Sequence, residues 1–352
     1  MLSLSTISAP KSSALKVFSL IVGLSLTVGC QSENNLINIG DRWGEPTVPT
    51  LHSPYQSERF VQTTPSEVDV LFVVDNSCSM TEEQAALTNN FDRFIGYILD
   101  SVPDWRVGLV TTDMDNWNQA GRLQSTYSMQ GQKFLDHATP DPVGTFQELG
   151  MVGINGSWYE KGLAASYTAL ELLRNNDNSG FYRESAELAV VLISDENDWT
   201  QNYPISTNEY INWLRNLKPS SSMVSFSSIV TPDGGCGPNM SPDMWGLEYL
   251  AVTEAVGGQA WSICEGDWSE VMEEIGLLAA GLQTEFYLAR LPVQDSIEVT
   301  VKDGRTLYTF GEGSCDYECY TYDPVRNSIK FNGFVPNPEA EINIDYEVLA
   351  GQ

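Results

Sequence analysis

The apolar run Val70-Leu71-Phe72-Val73-Val74 leads straight into Asp75-Asn76-Ser77-Cys78-Ser79-Met80, and this junction limits the possible folds more than any other part of the chain. An unbroken run of apolar, largely β-branched residues has no side suited to water, so it reads as a strand buried on both faces, the kind found inside a parallel sheet. Ligands of such sheets sit at the carboxyl ends of the strands, where Asp75, Ser77 and Ser79 fall. Alternate spacing in an extended loop turns three oxygen-bearing side chains toward one point. One carboxylate with two neutral hydroxyls suits a small, hard divalent cation, Mg²⁺ first and Mn²⁺ or Ca²⁺ as alternatives. A second buried run, Ala189 to Ser194, ends in another acid, Asp195, followed by Glu196-Asn197-Asp198.

Strand and helix patterns alternate from Glu67 to about Leu282, which predicts an α/β fold with a doubly wound, mostly parallel sheet over residues 66–283. Thr81-x-x-Gln84 reads as a capping box, with Leu87, Phe91, Phe94, Ile95 and Ile98 following at helical spacing. Further strands are expected at Trp105–Thr112, Glu187–Ser194, Met223–Val230 and Gln259–Ile263. Helices are expected at Glu160–Asn175, after Ser206-x-x-Glu209, at Trp245–Ala255 and after Asp267-x-x-Glu270. The stretch Asp113–Asn155 is longer than an ordinary connection, so it is read as functional or as partly structured by its own hairpin. Within it, Asp113-Met114-Asp115-Asn116 lacks the Gly and closing Glu of an EF-hand loop, which leaves Asp113 as a possible additional cation ligand or rim residue, together with Glu196. From residue 284 to 352 the apolar period becomes two: Ile297, Val299 and Val301 alternate, Asp303-Gly304 makes a hairpin turn, and Ile342, Ile344, Tyr346 and Val348 alternate again. A small all-β module is expected there.

The Asp-x-Ser-x-Ser loop, the hydroxyl-bearing loop Gly153-Ile154-Asn155-Gly156-Ser157 and the strand-terminal Asp195 occur in the order found in von Willebrand factor A domains, and the chain resembles that family over its central two hundred or so residues. The resemblance implies a metal-ion-dependent adhesion site with Asp75, Ser77, Ser79, Ser157 and Asp195 as its metal residues. Ser157 stands where relatives usually carry Thr, and Glu196 stands where many carry Gly. The family's mode of action implies non-catalytic binding of a protein partner whose Asp or Glu completes the coordination of the ion. The alternative is a periplasmic scaffold or assembly factor in which the ion is structural. Glu160 has two readings: a further ligand beside the metal, or a carboxylate placed in a first helical turn by the helix dipole.

Residues 1–29 carry Lys11 and Lys16 ahead of an apolar run, Val17–Val28, too short to span a bilayer and suited to a signal-peptide core. Leu26-Thr27-Val28-Gly29-Cys30 resembles the lipobox of bacterial lipoproteins, which implies acylation of Cys30; ordinary signal cleavage is the other reading. Gln31 after that Cys resembles lipoproteins sent to the outer membrane, facing the periplasm or the cell surface. Residues 30–65, polar and interrupted by Gly40, Gly44, Pro46, Pro49, Pro54 and Pro65, read as a flexible tether.

An exported compartment permits disulfides, and spacing suggests Cys236 with Cys264 and Cys315 with Cys319, leaving Cys78 in the metal loop either turned into the core or redox-sensitive. The two histidines, His52 and His137, are far apart, so no zinc pattern and no histidine base for Ser77 or Ser79 is apparent, and no enzymatic activity is expected. A net charge of −29, from 47 acidic against 18 basic residues, argues against nucleic acid and anionic lipid headgroups as partners. Trp158, Trp199 and Trp245, on or near loops, are read as packing or as a recognition surface.

Overall fold

The computed structural model describes residues 54–201, 203–313 and 319–348. The signal segment, Cys30, most of the tether and Cys315 lie outside the described residues. In chain order the first elements are β1 (Tyr55–Val61), β2 (Glu67–Val74), α1 (Thr81–Asn89), α2 (Phe91–Ser101), β3 (Asp104–Thr111), β4 (Leu135–Asp136), α3 (Pro142–Gly150), α4 (Gly162–Tyr167) and β5 (Glu187–Ser194). Next come α5 (Thr207–Arg215), β6 (Val224–Val230), α6 (Leu247–Val256), β7 (Ala260–Ser262) and α7 (Ser269–Ala279). The chain continues through β8 (Glu285–Tyr287), β9 (Glu298–Asp303), β10 (Thr306–Glu312), β11 (Cys319–Asp323), β12 (Ser328–Asn332) and β13 (Glu341–Glu347).

The described residues form a mixed α/β structure with two sheets. The first has the order β4-β3-β2-β5-β6-β7, parallel throughout except for the antiparallel edge pair β3–β4. The apolar run β2 lies between β3 and β5, with Val70 opposite both Val107 and Ala189. Its side chains alternate between two cores, as a pleated strand requires. Phe72 and Val74 join Phe91, Phe94, Phe146 and Met272 from α2, α3 and α7 on one face, while Leu71 and Val73 join Leu163, Tyr210 and Val252 from α4, α5 and α6 on the other. Both faces are therefore covered, which explains why β2 carries no polar alternation.

The second sheet has the order β1-β13-β9-β10-β11-β12-β8, with β10–β11 its one parallel pair among the described strands. Val299, Val301, Ile342, Ile344 and Tyr346 are fully buried in its core, and the Asp303-Gly304 turn joins β9 to β10 with Gly304 at φ 54°. The tether reading is corrected at its C-terminal end. Tyr55–Val61 pairs along its whole length with β13, from Tyr55↔Glu347 to Val61↔Glu341, so the β module draws one strand from ahead of the α/β part. Its half-exposed edge position gave a weak apolar alternation, and its partner is nearly three hundred residues away.

Three local readings also change. Met80, not a residue of the expected capping box, precedes α1, and Gln84 is turned elsewhere. The helix expected from Glu160 begins at Gly162, runs as α-helix to Tyr167 and passes into a π-helical turn at Thr168–Leu172, so Glu160 lies ahead of its first turn. The stretch 113–155 holds α3 and the edge strand β4. By contrast Ser206 and Glu209 form the expected reciprocal capping box.

Candidate metal-binding face

At the carboxyl end of β2, Asp75 is fully buried and its backbone N–H donates to the Ile193 carbonyl of β5 at 3.0 Å. Both carboxylate oxygens are fixed: Oδ1 accepts the Ser77 N–H at 2.8 Å and Oδ2 accepts the Ser194 hydroxyl at 2.6 Å. The Ser77 and Ser79 hydroxyls share a hydrogen bond of 3.0 Å, and Ser79 offsets part of the rise that burial imposes on the Asp195 carboxyl. The structure therefore brings Asp75, Ser77, Ser79 and Asp195 together across the adjacent ends of β2 and β5. Asp195 Oδ1 is buried without a hydrogen-bond partner.

Ser157 is engaged elsewhere. Its hydroxyl donates to Asp115 at 2.6 Å and accepts the Tyr159 N–H at 3.1 Å, and Asp115 is in turn paired with Lys161 at 2.7 Å. Ser157, Asp115 and Tyr159 line an open groove of about 680 Å³ with Asp113, Asn116, Asn155, Gly156 and Trp158. Asp113 is buried in a loop-stabilising role, its Oδ1 accepting the N–H groups of Asp115 and Asn116. Trp158 is 80% exposed on the groove, whereas Trp199 is half-buried with its ring edge-on to Tyr159.

Glu160 left two readings open. The helix-dipole reading fails because it precedes α4; the residue is wholly buried, and Thr112, which donates to its carboxyl, is itself tied by its N–H to the Val74 carbonyl at the end of β2. One oxygen accepts the Thr112 hydroxyl, and Oε1 has no hydrogen-bond partner. Burial, and then the Asp75 charge, push the Glu160 carboxyl well above the usual carboxylate range. Burial also raises Asp75 to about 6, with Asp195 adding to the shift against the hydrogen bonds from Ser194 and Ser77. Glu196 rises to about 6 through burial and the charges of Asp195 and Asp75, and Asp195 itself is raised by burial.

Other residues hold this face through contacts distant in sequence. Gln84 Nε2 donates to the Asp75 carbonyl at 3.0 Å and to the Gly153 carbonyl at 2.8 Å, tying the first loop to the second. Gln119 Oε1 accepts from both Asn76 and Thr111. Asp198, the last acid of the Asp195-Glu196-Asn197-Asp198 run, is the N-terminal anchor of α4. Its Oδ1 accepts the Leu163 N–H and the Thr200 hydroxyl, and its Oδ2 accepts the Thr200 N–H. Asp198→Ala is expected to cost about 1–3 kcal/mol, because it strands buried donors; urea unfolding measures it, and an unchanged midpoint would refute the anchor.

The chemistry of the donors fits a divalent cation. Several buried carboxylates are raised by burial and by one another, orphaned oxygens remain on Asp195 and Glu160, and two hydroxyls are adjacent. Among the described residues no three His, Cys, Asp or Glu side chains form a ready-made metal cluster, so such an ion depends on hydroxyl oxygens as well as acids. Cys78, for which a core-facing and a redox-sensitive reading both stood, is exposed and free, so the core-facing one is corrected. Cys236 and Cys264 form the disulfide that spacing suggested, joining the loops after β6 and β7, and Cys319 is disulfide-bonded. No helix of the described residues is long and apolar enough to cross a membrane.

No protein-family model matches the chain, and no curated protein matches it. Among solved structures, it is similar to a von Willebrand factor type A protein from Catenulispora acidiphila at 13% identity and TM-score 0.43, covering 86% of this chain and 66% of that one. It is similar to the pilus adhesin SpaC from Lactobacillus rhamnosus GG at 12% identity and TM-score 0.40, covering 86% and 44%, and to proximal thread matrix protein 1 from the mussel byssus at 15% and 0.38, covering 64% and 48%. The chain thus spans less than two thirds of the length of each.

Proposed function

We propose that the chain is a non-catalytic, divalent-cation-dependent protein-binding module of von Willebrand factor A type at a bacterial cell envelope. The observation that carries this reading is the convergence of buried Asp75, the paired Ser77 and Ser79 hydroxyls and the orphaned Asp195 oxygen at the ends of β2 and β5. Bound there, Mg²⁺, Mn²⁺ or Ca²⁺ supplies a coordination position for an Asp or Glu of the partner. Asp75, Ser77, Ser79 and Asp195 hold the cation. Ser194 and the Ser77 N–H keep the Asp75 carboxylate oriented, and Gln84 keeps the two loops in register. A chain of net charge −29 repels acidic partners at long range, so attraction of a carboxylate depends on the cation. Acylation at Cys30 and outer-membrane anchoring belong to the same proposal.

The second reading, an envelope scaffold with a structural ion, is favoured by Glu160 and Glu196, whose added negative charge weakens the pull of the cation on a partner carboxylate. Binding rather than catalysis is proposed because Ser77 and Ser79 hydrogen-bond to each other, while His137 lies on an exposed turn beyond β4.

Calorimetric titration of Mg²⁺, Mn²⁺ and Ca²⁺ into the chelator-treated chain is expected to saturate at one site, with the heat lost in a Ser77→Ala/Ser79→Ala variant. Equal heats in the variant would rule out this loop as the site.

A further inference from the structure

The second loop reaches the site through a residue other than the one the adhesion motif assigns. Its backbone is clamped from both sides. The Glu160 carbonyl accepts the Trp199 N–H at 2.5 Å, the Lys161 N–H donates to the Thr112 carbonyl at 3.2 Å, and the Gly156 N–H donates to the Asn76 carbonyl at 2.8 Å. In this setting Glu160 is wholly buried and Ser157, three residues earlier, remains partly exposed. The Ser157 hydroxyl already has two partners, Asp115 and the Tyr159 N–H, and Lys161 holds Asp115 in place. Glu160 has the opposite balance. Thr112 serves one of its oxygens and is itself held at 3.2 Å by the Val74 carbonyl at the end of β2, next to Asp75, while Oε1 has no partner. A buried carboxyl oxygen without a partner costs more than an ordinary hydrogen bond contributes, so such a group persists where something completes it.

We infer that Glu160, in place of Ser157, is the second-loop ligand of the divalent cation, forming with Asp75 a carboxylate pair supported by Ser77 and Ser79. The inference rests on the proposed cation site and specifies its ligand set. A charged oxygen in place of a neutral hydroxyl suits ions that accept more carboxylate oxygens, so Ca²⁺ and Mn²⁺ gain relative to Mg²⁺, which keeps several of its waters. Ser157 then belongs to the groove, where it staples the loop to Asp115.

The test compares the wild-type chain, Glu160→Gln and Ser157→Ala by calorimetric titration with Ca²⁺, Mn²⁺ and Mg²⁺ after chelator treatment, with thermal unfolding of each metal-free form as a check on folding. Glu160→Gln is expected to weaken Ca²⁺ binding roughly 100-fold, on the scale seen when groups around a metal site are removed. Ser157→Ala is expected to leave it unchanged. Binding retained in Glu160→Gln, or lost in Ser157→Ala, overturns the assignment while leaving the cation site standing. Should Glu160→Gln fail to fold, the partly exposed Ser157→Ala variant still decides, since a loss there contradicts the inference. Absence of binding in the wild-type chain would overturn both the assignment and the function on which it rests.

Discussion

Replacing Phe72 with alanine is expected to lower stability by about 3–5 kcal/mol, the usual cost of emptying an aromatic site in a packed core. Phe72 is fully buried at the centre of β2, with its ring centroid 5.2 Å from Phe94, 5.0 Å from Phe146 and 6.3 Å from Phe91. Phe91 and Phe146 stack on each other at 3.6 Å, so the three rings joined by Phe72 come from α2 and α3. The hole left behind borders two helices as well as the sheet. Guanidinium unfolding measures the loss, with half-exposed Leu99→Ala as a control expected to shift stability by about 0.5 kcal/mol or less. A cost for Phe72→Ala under about 1 kcal/mol would mean that this aromatic cluster does not organise the sheet.

The second large effect is on stability with and without a cation, and its pH dependence has a definite sign. Asp75 and Glu196 are raised in the folded chain to about 6 from ordinary values of 3.8 and 4.5, and Glu160 is raised further in the same direction. A carboxyl raised on folding favours the folded state while protonated. Its contribution is full below the unfolded value and is lost as pH rises through the folded one. Without a cation, the site should therefore contribute less at pH 7.5 than at pH 4, with most of the Asp75 and Glu196 loss falling between about pH 4 and pH 6. A divalent cation replaces those protons, so its stabilising effect grows over the same range. At a free concentration about 100 times its Kd, the cation should add about 2.7 kcal/mol near neutral pH. Thermal unfolding at pH 5 and pH 7.5, with Ca²⁺ or with chelator, measures the difference. An increment larger at pH 5 would refute the carboxylate-lined site.

How much of this was legible in the sequence depended on the range of the interactions. The run Val70–Val74 announced its own burial because both faces are covered, and Ser206 with Glu209 announced a helix start because a capping box is complete within four residues. Thr81 and Gln84 fit the same pattern and misled, since Gln84 instead joins the Asp75 and Gly153 carbonyls, contacts no local pattern encodes. Asp69 shows the same limit. It is a charged residue inside a buried strand, explained only by Arg183, 114 residues later, whose Nε donates to it at 2.9 Å. In the candidate site, Asp75, Ser77, Ser79 and Asp195 were readable because each ends a strand or follows one directly. Glu160 kept two readings, metal ligand or dipole-stabilised helix start, because a carboxylate ahead of Gly162-Leu163-Ala164 looks the same in sequence whether it faces water or a buried site. Strand β1 was lost in the tether because its partner, β13, closes the chain's other end.

The central claim is that one divalent cation sits on the loop after β2. A crystal of the chain grown with Mn²⁺ and measured at the manganese absorption edge tests it most directly. The account predicts a single strong anomalous peak within bonding distance of the Ser77 and Ser79 hydroxyls, beside Asp75. Manganese located away from that loop, or no peak in crystals that hold the folded chain at saturating Mn²⁺, would contradict it.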